Sequence, residues 1–248
     1  MTLSGKVGLI TGGGTGLGRE VALQLVQEGM DLAISYARSQ ADAEEVVAEI
    51  RASGGQAAAF QADLEQTLEA ERLIQEVTAA YGRLDLLIHN AATTRFLPFA
   101  DLEAVDEAIW DELFAVNTRA AFFLARAAAP ALRQSGDGQI ITTSSVAGLH
   151  PGGSSLPYAV TKAALIHLTR CLAVALAPEV RVNTVAPGLL MTRWVAGFSE
   201  AQLQKTSEKA LLKKPTDLAD VAAAFVMLAK NSSITGQVIV VDAGLSVS

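Results

Sequence analysis

Short apolar runs, several of them β-branched, recur along the chain, and each is followed by a longer stretch whose apolar positions repeat at helical spacing. The runs lie at 7–10, 32–36, 57–61, 84–89, 139–144, 181–185 and 238–241, and they predict strands. The stretches at 18–28, 41–52, 68–81, 105–133, 158–176 and 218–230 predict helices. Strand–helix alternation implies parallel strands joined by right-handed crossovers. The strand candidates are apolar almost throughout, as strands covered on both faces are. The expected fold class is therefore α/β, a doubly wound three-layer sandwich around a mainly parallel seven-stranded sheet. Ligands of such sheets bind beyond the carboxyl ends of the strands. The segment 189–214 breaks the rhythm. It is long, carries Trp194 and Phe198, and ends at Lys213-Lys214-Pro215. Its length suggests a cover over a site, against the plainer reading of a surface excursion.

Composition narrows the classes. Of 248 residues, 50% are hydrophobic and 18% charged, which excludes a disordered chain. No Pro/Gly/Ser-rich linker divides it, so one domain over 1–248 is expected. Nineteen basic and 26 acidic residues leave a net charge of −7. That sign disfavours nucleic acid or an anionic membrane as the main partner. Cys171 is the only cysteine, so no disulfide forms within the chain, which suits a reducing compartment. The first strand candidate begins by Val7, leaving no room for a signal peptide, and no apolar run approaches the roughly 20 residues of a membrane span. A soluble, cytoplasmic protein is expected. His89, His150 and His167 are dispersed and form no metal-ligand pattern.

The first strand candidate runs into Thr11-Gly12-Gly13-Gly14-Thr15-Gly16-Leu17-Gly18. Glycines there tolerate positive φ and let backbone approach a phosphate, and the helix starting near Leu17 favours an anion. A turn that merely packs helix on strand is the plainer alternative. No Lys-Ser or Lys-Thr closes the loop, so it is not a nucleoside-triphosphatase phosphate loop. Gly-x-Gly-x-x-Gly does not fit either. Gly12, Gly16 and Gly18 follow Gly-x-x-x-Gly-x-Gly. Further along, Lys162 stands four residues after Tyr158, on the same helix face. A tyrosine with a free pKa of about 10 can act as a proton donor when a neighbouring cation favours its phenolate. Alone, such a pair is more often a surface feature.

Together these residues resemble the short-chain dehydrogenase/reductase family, in the branch similar to 3-oxoacyl-carrier-protein reductases and carbonyl reductases. The likeness covers nearly the whole chain. Thr11 to Gly18, with Thr15 and Leu17, resembles the family's cofactor loop. Asp63-Leu64 resembles the pair that meets adenine, and Asn90-Ala91 the core of Asn-Asn-Ala-Gly. Asn117 stands in a helix where the family keeps a catalytic Asn. Ser145 precedes Tyr158-Ala159-Val160-Thr161-Lys162 at the family spacing; Ser144 is equally suited by chemistry alone. Pro187-Gly188 with Thr192 resembles the segment that holds nicotinamide, and Val241 to Gly244 the terminal strand and turn. His89 and Ala92 depart from the motif at its first Asn and its Gly. His89 is expected to be a satisfied histidine at a strand end.

The resemblance implies a Rossmann-like fold and hydride transfer between a nicotinamide and a ketone or aldehyde, or the reverse with an alcohol. Ser145 would orient the oxygen and Tyr158 protonate it. Lys162 would lower the tyrosine pKa and bind ribose hydroxyls, and Asn117 would anchor a water linking Lys162 to solvent. After the second strand Tyr36 replaces the usual acidic residue, and Arg38 with Ser39 suits a 2′-phosphate, which favours NADP(H) over NAD(H). Thr93, Thr94, Phe96, Val146, His150, Ser154, Leu156, Leu190, Trp194 and Phe198 are expected around the substrate, with Leu190 also at the cofactor. A 3-oxoacyl-carrier-protein reductase is an alternative; enoyl reductases of the family are less similar, spacing Tyr and Lys more widely. A nicotinamide-binding redox sensor without turnover is a rival of another class, and the retained Tyr158 and Lys162 argue against it. A purely structural subunit is a third. Helices 105–133 and 158–176 are similar to those that build homodimers and homotetramers in the family.

Overall fold

The computed structural model describes residues 2–247, so both end residues of the expected domain span lie outside the described residues. Seven strands form one sheet: β1 Val7–Thr11, β2 Asp31–Tyr36, β3 Ala57–Gln61, β4 Leu86–His89, β5 Gly138–Thr143, β6 Val180–Pro187 and β7 Val238–Val241. Their order is β3-β2-β1-β4-β5-β6-β7, and every pairing is parallel. Adjacent strand residues face opposite sides, which builds two cores. Ile10, Ile34, Ile88 and Ile141 point into one core, while Leu9, Ala33, Leu87 and Ile140 point into the other. Helices α1 Gly16–Gln27, α2 Gln40–Ala52 and α8 Leu218–Lys230 cover the first face. Helices α3 Thr67–Tyr81, α5 Ala120–Gln134 and α6 Leu156–Leu176 cover the second.

The chain leaves β1 for β2 and β3 on one side, then crosses back to place β4 on the other. That reversal opens a crevice at the carboxyl ends of β1 and β4. The register brings the residues that frame it into line: Thr11 pairs with Ser35 on one side and His89 on the other, and His89 pairs with Thr142.

Three expectations change. The helix expected over 105–133 is two helices joined by a π turn: α4 Glu107–Phe114, the turn Ala115–Arg119, and α5. It starts after Asp106, whose carboxylate accepts the Ile109 N–H at 2.8 Å and so caps the first turn. Helix α6 begins two residues before Tyr158, because Ser155 accepts the Tyr158 N–H and Pro157 suits the first turn. It is also 21 residues long and contains an 18-residue window of mean hydropathy 1.5, long and apolar enough to cross a membrane by those measures alone, contrary to the expectation for this chain. Half of that window is buried within the fold, where α6 packs on the sheet. Within 189–214 the chain forms a short 3-10 turn, Arg193–Gly197, and a helix α7, Glu200–Lys209, none of whose residues is buried.

Candidate active site

A cavity of about 960 Å³ occupies the crevice and runs from Tyr36, Arg38 and Ser39 at one end to His150, Trp194 and Phe198 at the other. Its size is at the upper end for small-molecule sites. At its centre the glycine loop turns sharply from β1 into α1. Gly12 and Gly16 have φ of +63° and +51°, conformations that favour glycine. Gly12, Thr15, Gly16 and Leu17 line the cavity. Gly14 and Gly18, expected on the cofactor, do not line it. A Cβ on Gly14 would sit 2.9 Å from the Ala43 nitrogen, and one on Gly18 would collide with the Gly12 carbonyl. These two glycines permit close packing of the loop on α2 and on itself.

Polar side chains lock the loop to β4. The buried Thr11 hydroxyl accepts the N–H groups of Asn90 and Ala91 at 3.1 and 3.0 Å. The Asn90 amide returns bonds to the Thr11 and Gly12 carbonyls at 3.2 and 3.1 Å. Ala92, where the motif has Gly, adopts an ordinary negative φ, so the replacement brings no backbone strain. His89 is only half satisfied. Its Nδ1 lies 3.4 Å from the Thr11 hydroxyl, while Nε2 has no hydrogen-bond partner among the described residues. Burial and then the Lys162 charge push its pKa down to about 3, so the ring is neutral at physiological pH.

Asp63, Leu64, Asn90, Ala91, Pro187, Gly188, Leu190 and Thr192 line the same cavity. Gly188 is pressed against β7, where a Cβ would meet Thr216 Oγ1 at 2.6 Å and the Asp242 backbone at 2.8 Å. Arg38 is exposed and forms no ion pair among the described residues. The arrangement fits a dinucleotide with a 2′-phosphate: backbone approach at Gly12 and Gly16, no carboxylate at Tyr36, and a guanidinium without a partner at Arg38.

Ser145, Tyr158 and Lys162 converge beyond the ends of β5 and β4. Ser144 and Ser145 part company here. The Ser144 hydroxyl donates to the Lys162 carbonyl at 3.1 Å and ties the strand end to α6. Ser145 accepts the Ala147 N–H at 3.1 Å, and its hydroxyl lies near enough to the Tyr158 side chain to favour the phenolate. Lys162, buried, donates from Nζ to the Thr143 carbonyl at 2.7 Å, with Nζ 5.7 Å from the Tyr158 ring centre. Burial pushes Tyr158 up to about 12, against a smaller downward pull from Ser145, and pushes Lys162 down to about 7. Burial, not Lys162, sets the direction of the tyrosine shift, because desolvation disfavours the charged form of both groups.

Asn117 lies in the π turn and does not line the cavity. Its amide is committed to protein: Oδ1 accepts the Thr93 N–H at 2.8 Å, and Nδ2 donates to the Thr93 carbonyl at 3.0 Å and the Thr161 hydroxyl at 3.1 Å. It joins the segment after β4 to the helix carrying Tyr158 and Lys162.

At the far end, Thr93, Val146, His150, Ser154, Leu190, Trp194 and Phe198 form the wall. Thr94, Phe96 and Leu156 do not. Thr94 is turned into a hydrogen bond with Ser154, and Phe96 packs edge-on against Phe198 with ring centres 5.0 Å apart. Trp194 leans on Tyr158 at 5.8 Å. His150 Nε2 is buried and has no hydrogen-bond partner among the described residues. Arg95, Glu112, Val116, Arg193, Leu203, Thr206 and Lys209 also line the cavity, and no motif announced them. Arg95 and Glu112 are ion-paired across 17 residues of sequence.

Comparison with known proteins shows what the chain is similar to. A family model described as Enoyl-(Acyl carrier protein) reductase matches residues 12–246. A ketoacyl reductase of the granaticin polyketide synthase of Streptomyces violaceoruber is 38% identical, covering 96% of this chain and 95% of its own. The 3-oxoacyl-[acyl-carrier-protein] reductase FabG of Staphylococcus aureus is 36% identical, covering 97% and 98%. A crystal structure of a short-chain dehydrogenase from Burkholderia cenocepacia in complex with NADP superposes with a TM-score of 0.90 at 32% identity, covering 99% of each chain.

Proposed function

This chain belongs to the short-chain dehydrogenase/reductase family, and from that premise we propose that it is an NADP(H)-preferring oxidoreductase that reduces a ketone or aldehyde to an alcohol, or runs the reverse. One observation carries the reading: Ser145, Tyr158 and Lys162 meet in the same cavity as the glycine loop and Arg38. A bound nicotinamide would supply the hydride. Tyr158 donates its phenolic proton to the carbonyl oxygen, and Ser145 holds that oxygen by a hydrogen bond. Lys162, with its pKa near neutrality, is charged for part of the time, and with a nicotinamide bound its Nζ would hold the ribose hydroxyls beside Tyr158. Asn117 acts as a positioning residue, since its bonds to Thr93 and Thr161 hold the segment after β4 against α6.

Arg38 and Ser39 recognise the 2′-phosphate, in keeping with the NADP complex of the Burkholderia relative. The whole of 1–248 forms one domain, and 189–214 covers the substrate, with Trp194 against Tyr158. The substrate is a small or medium carbonyl compound. A 3-oxoacyl thioester is the second reading, favoured by the ketoacyl and 3-oxoacyl reductases among the relatives. Reduction of a carbon–carbon double bond, suggested by the family model's description, is disfavoured by the four-residue Tyr158–Lys162 spacing. The protein assembles as a homodimer or homotetramer in the cytoplasm.

The test follows loss of reduced-nicotinamide absorbance, with NADPH and NADH, against ketones, aldehydes and a 3-oxoacyl thioester. Consumption with one carbonyl class, preferring NADPH, is expected. Tyr158→Phe should keep cofactor binding and lose turnover by about two to four orders of magnitude, the usual contribution of a positioned acid. Near-normal turnover in that variant would remove Tyr158 as the acid. Tight cofactor binding without turnover on any carbonyl would move the protein to the redox-sensing class.

A further inference from the structure

One cation of the covering segment reaches back to the phosphate end of the cavity. Arg193 opens the 3-10 turn after Thr192 and lines the cavity. Thr192 stands beside the glycine loop, since a Cβ built on Gly16 would lie 3.5 Å from its side chain. From that base the Arg193 guanidinium meets Asp42 at 3.1 Å, in the first turn of α2. Gly14 of the same loop packs on Ala43, the residue after Asp42. The ion pair therefore runs alongside the glycine loop. It links the segment after β6 to the helix that begins directly after Ser39.

A carboxylate so close to Arg38 and Ser39 would repel a 2′-phosphate. Arg193 neutralises it, and weakly. The arginine side chain is 69% exposed and that of Asp42 is 33% exposed. Pairs this exposed contribute little to stability, so the guanidinium is given up at little cost. Asp42 keeps the favourable field of the α2 N-terminus when it is left. A phosphate offers the guanidinium planar, two-oxygen recognition and a larger charge.

We propose that Arg193 is a specificity-determining contact for the phosphates of NADP(H), held by Asp42 until the cofactor draws it away. The inference rests on the NADP(H) reading above. Arg193 then supplies a second guanidinium from the covering segment, opposite Arg38, and couples cofactor arrival to the placement of the turn that carries Trp194.

The experiment measures dissociation constants of NADPH and NADH by titration of cofactor fluorescence. It uses the intact protein, Arg38→Ala, Arg193→Gln, Asp42→Asn and the Arg193→Gln/Asp42→Asn double variant. Arg193→Gln should weaken NADPH about tenfold and NADH less, the scale of one lost charge-assisted bond. Asp42→Asn should tighten NADPH, and the double variant should lose part of that gain, because Asp42 acts through Arg193. Unchanged NADPH binding in Arg193→Gln, with an unaltered melting temperature, overturns the inference while leaving the NADP(H) reading intact. Equal affinity of the intact protein for both cofactors, with no effect of Arg38→Ala, overturns the NADP(H) reading itself.

Discussion

The burial of Lys162 costs stability. Its pKa falls from an ordinary 10.5 to about 7 because the folded protein buries it. Between those values the unfolded chain holds a proton that the folded chain releases, so folding stability rises with pH across this window. Tyr158, raised from 10.0 to about 12, acts oppositely, losing stability as pH rises above 10, so the two effects separate. Urea unfolding from pH 7 to pH 10 should show the intact protein gaining on Lys162→Met, with a limiting slope of about 1.4 kcal/mol per pH unit. A difference that stays flat would mean that Lys162 is not desolvated as its burial indicates. The residue scale also shows where sequence reading stops. That Ser145 rather than Ser144 faces Tyr158 depends on the turn after β5, which ties the Ser144 hydroxyl to the Lys162 carbonyl instead. The orphan nitrogen of His89 has the same kind of origin, since its neighbours come from β1 and β5.

At the scale of elements, the helices mattered less for their existence than for their joints. Apolar periodicity marks 105–133 as one amphipathic unit, and nothing in that periodicity marks the π turn over Ala115–Arg119. Such turns are frequent at functional sites, and this one carries Asn117 into its bonds with Thr93 and Thr161. The Asp106 cap is legible as an Asp immediately before a helical run, whereas apolar spacing alone starts the helix at Val105, two residues early. Asp106→Ala should lower stability by about 1 kcal/mol in urea unfolding, the typical worth of such a cap, with turnover little changed. No loss of stability would show that tertiary packing, not the cap, sets where α4 begins. Helix α7 had no strong sequence signal because it buries none of its residues. Its capping box, Ser199 with Gln202, was the one local mark of its start.

For the whole molecule, the sheet order decides where chemistry happens. The reversal between β1 and β4 brings residues from nearly every segment to one crevice, as far apart as Gly12 and Leu245. The same scale governs assembly. Val174 is 82% exposed on α6 and Phe122 is 42% exposed on α5, apolar side chains on the two helices expected to form a subunit contact. Light scattering should give a mass that is a whole multiple, above one, of 25.9 kDa, and Val174→Glu should shift it towards the monomer. A monomer at all concentrations would remove the assembly from the proposal.

The sequence by itself determined the fold class, the seven strands to within a few residues, the glycine loop and the Tyr158–Lys162 pair. Each of these is written in local spacing: period-two and period-3.6 apolar patterns, a glycine motif after a strand, and an acid and a cation one helical turn apart. Only the tertiary structure decided which glycines face the cavity and which merely pack, that burial rather than Lys162 governs the Tyr158 pKa, and that Arg193 meets Asp42. Those outcomes depend on desolvation and on contacts between segments distant in sequence, and no local pattern encodes either.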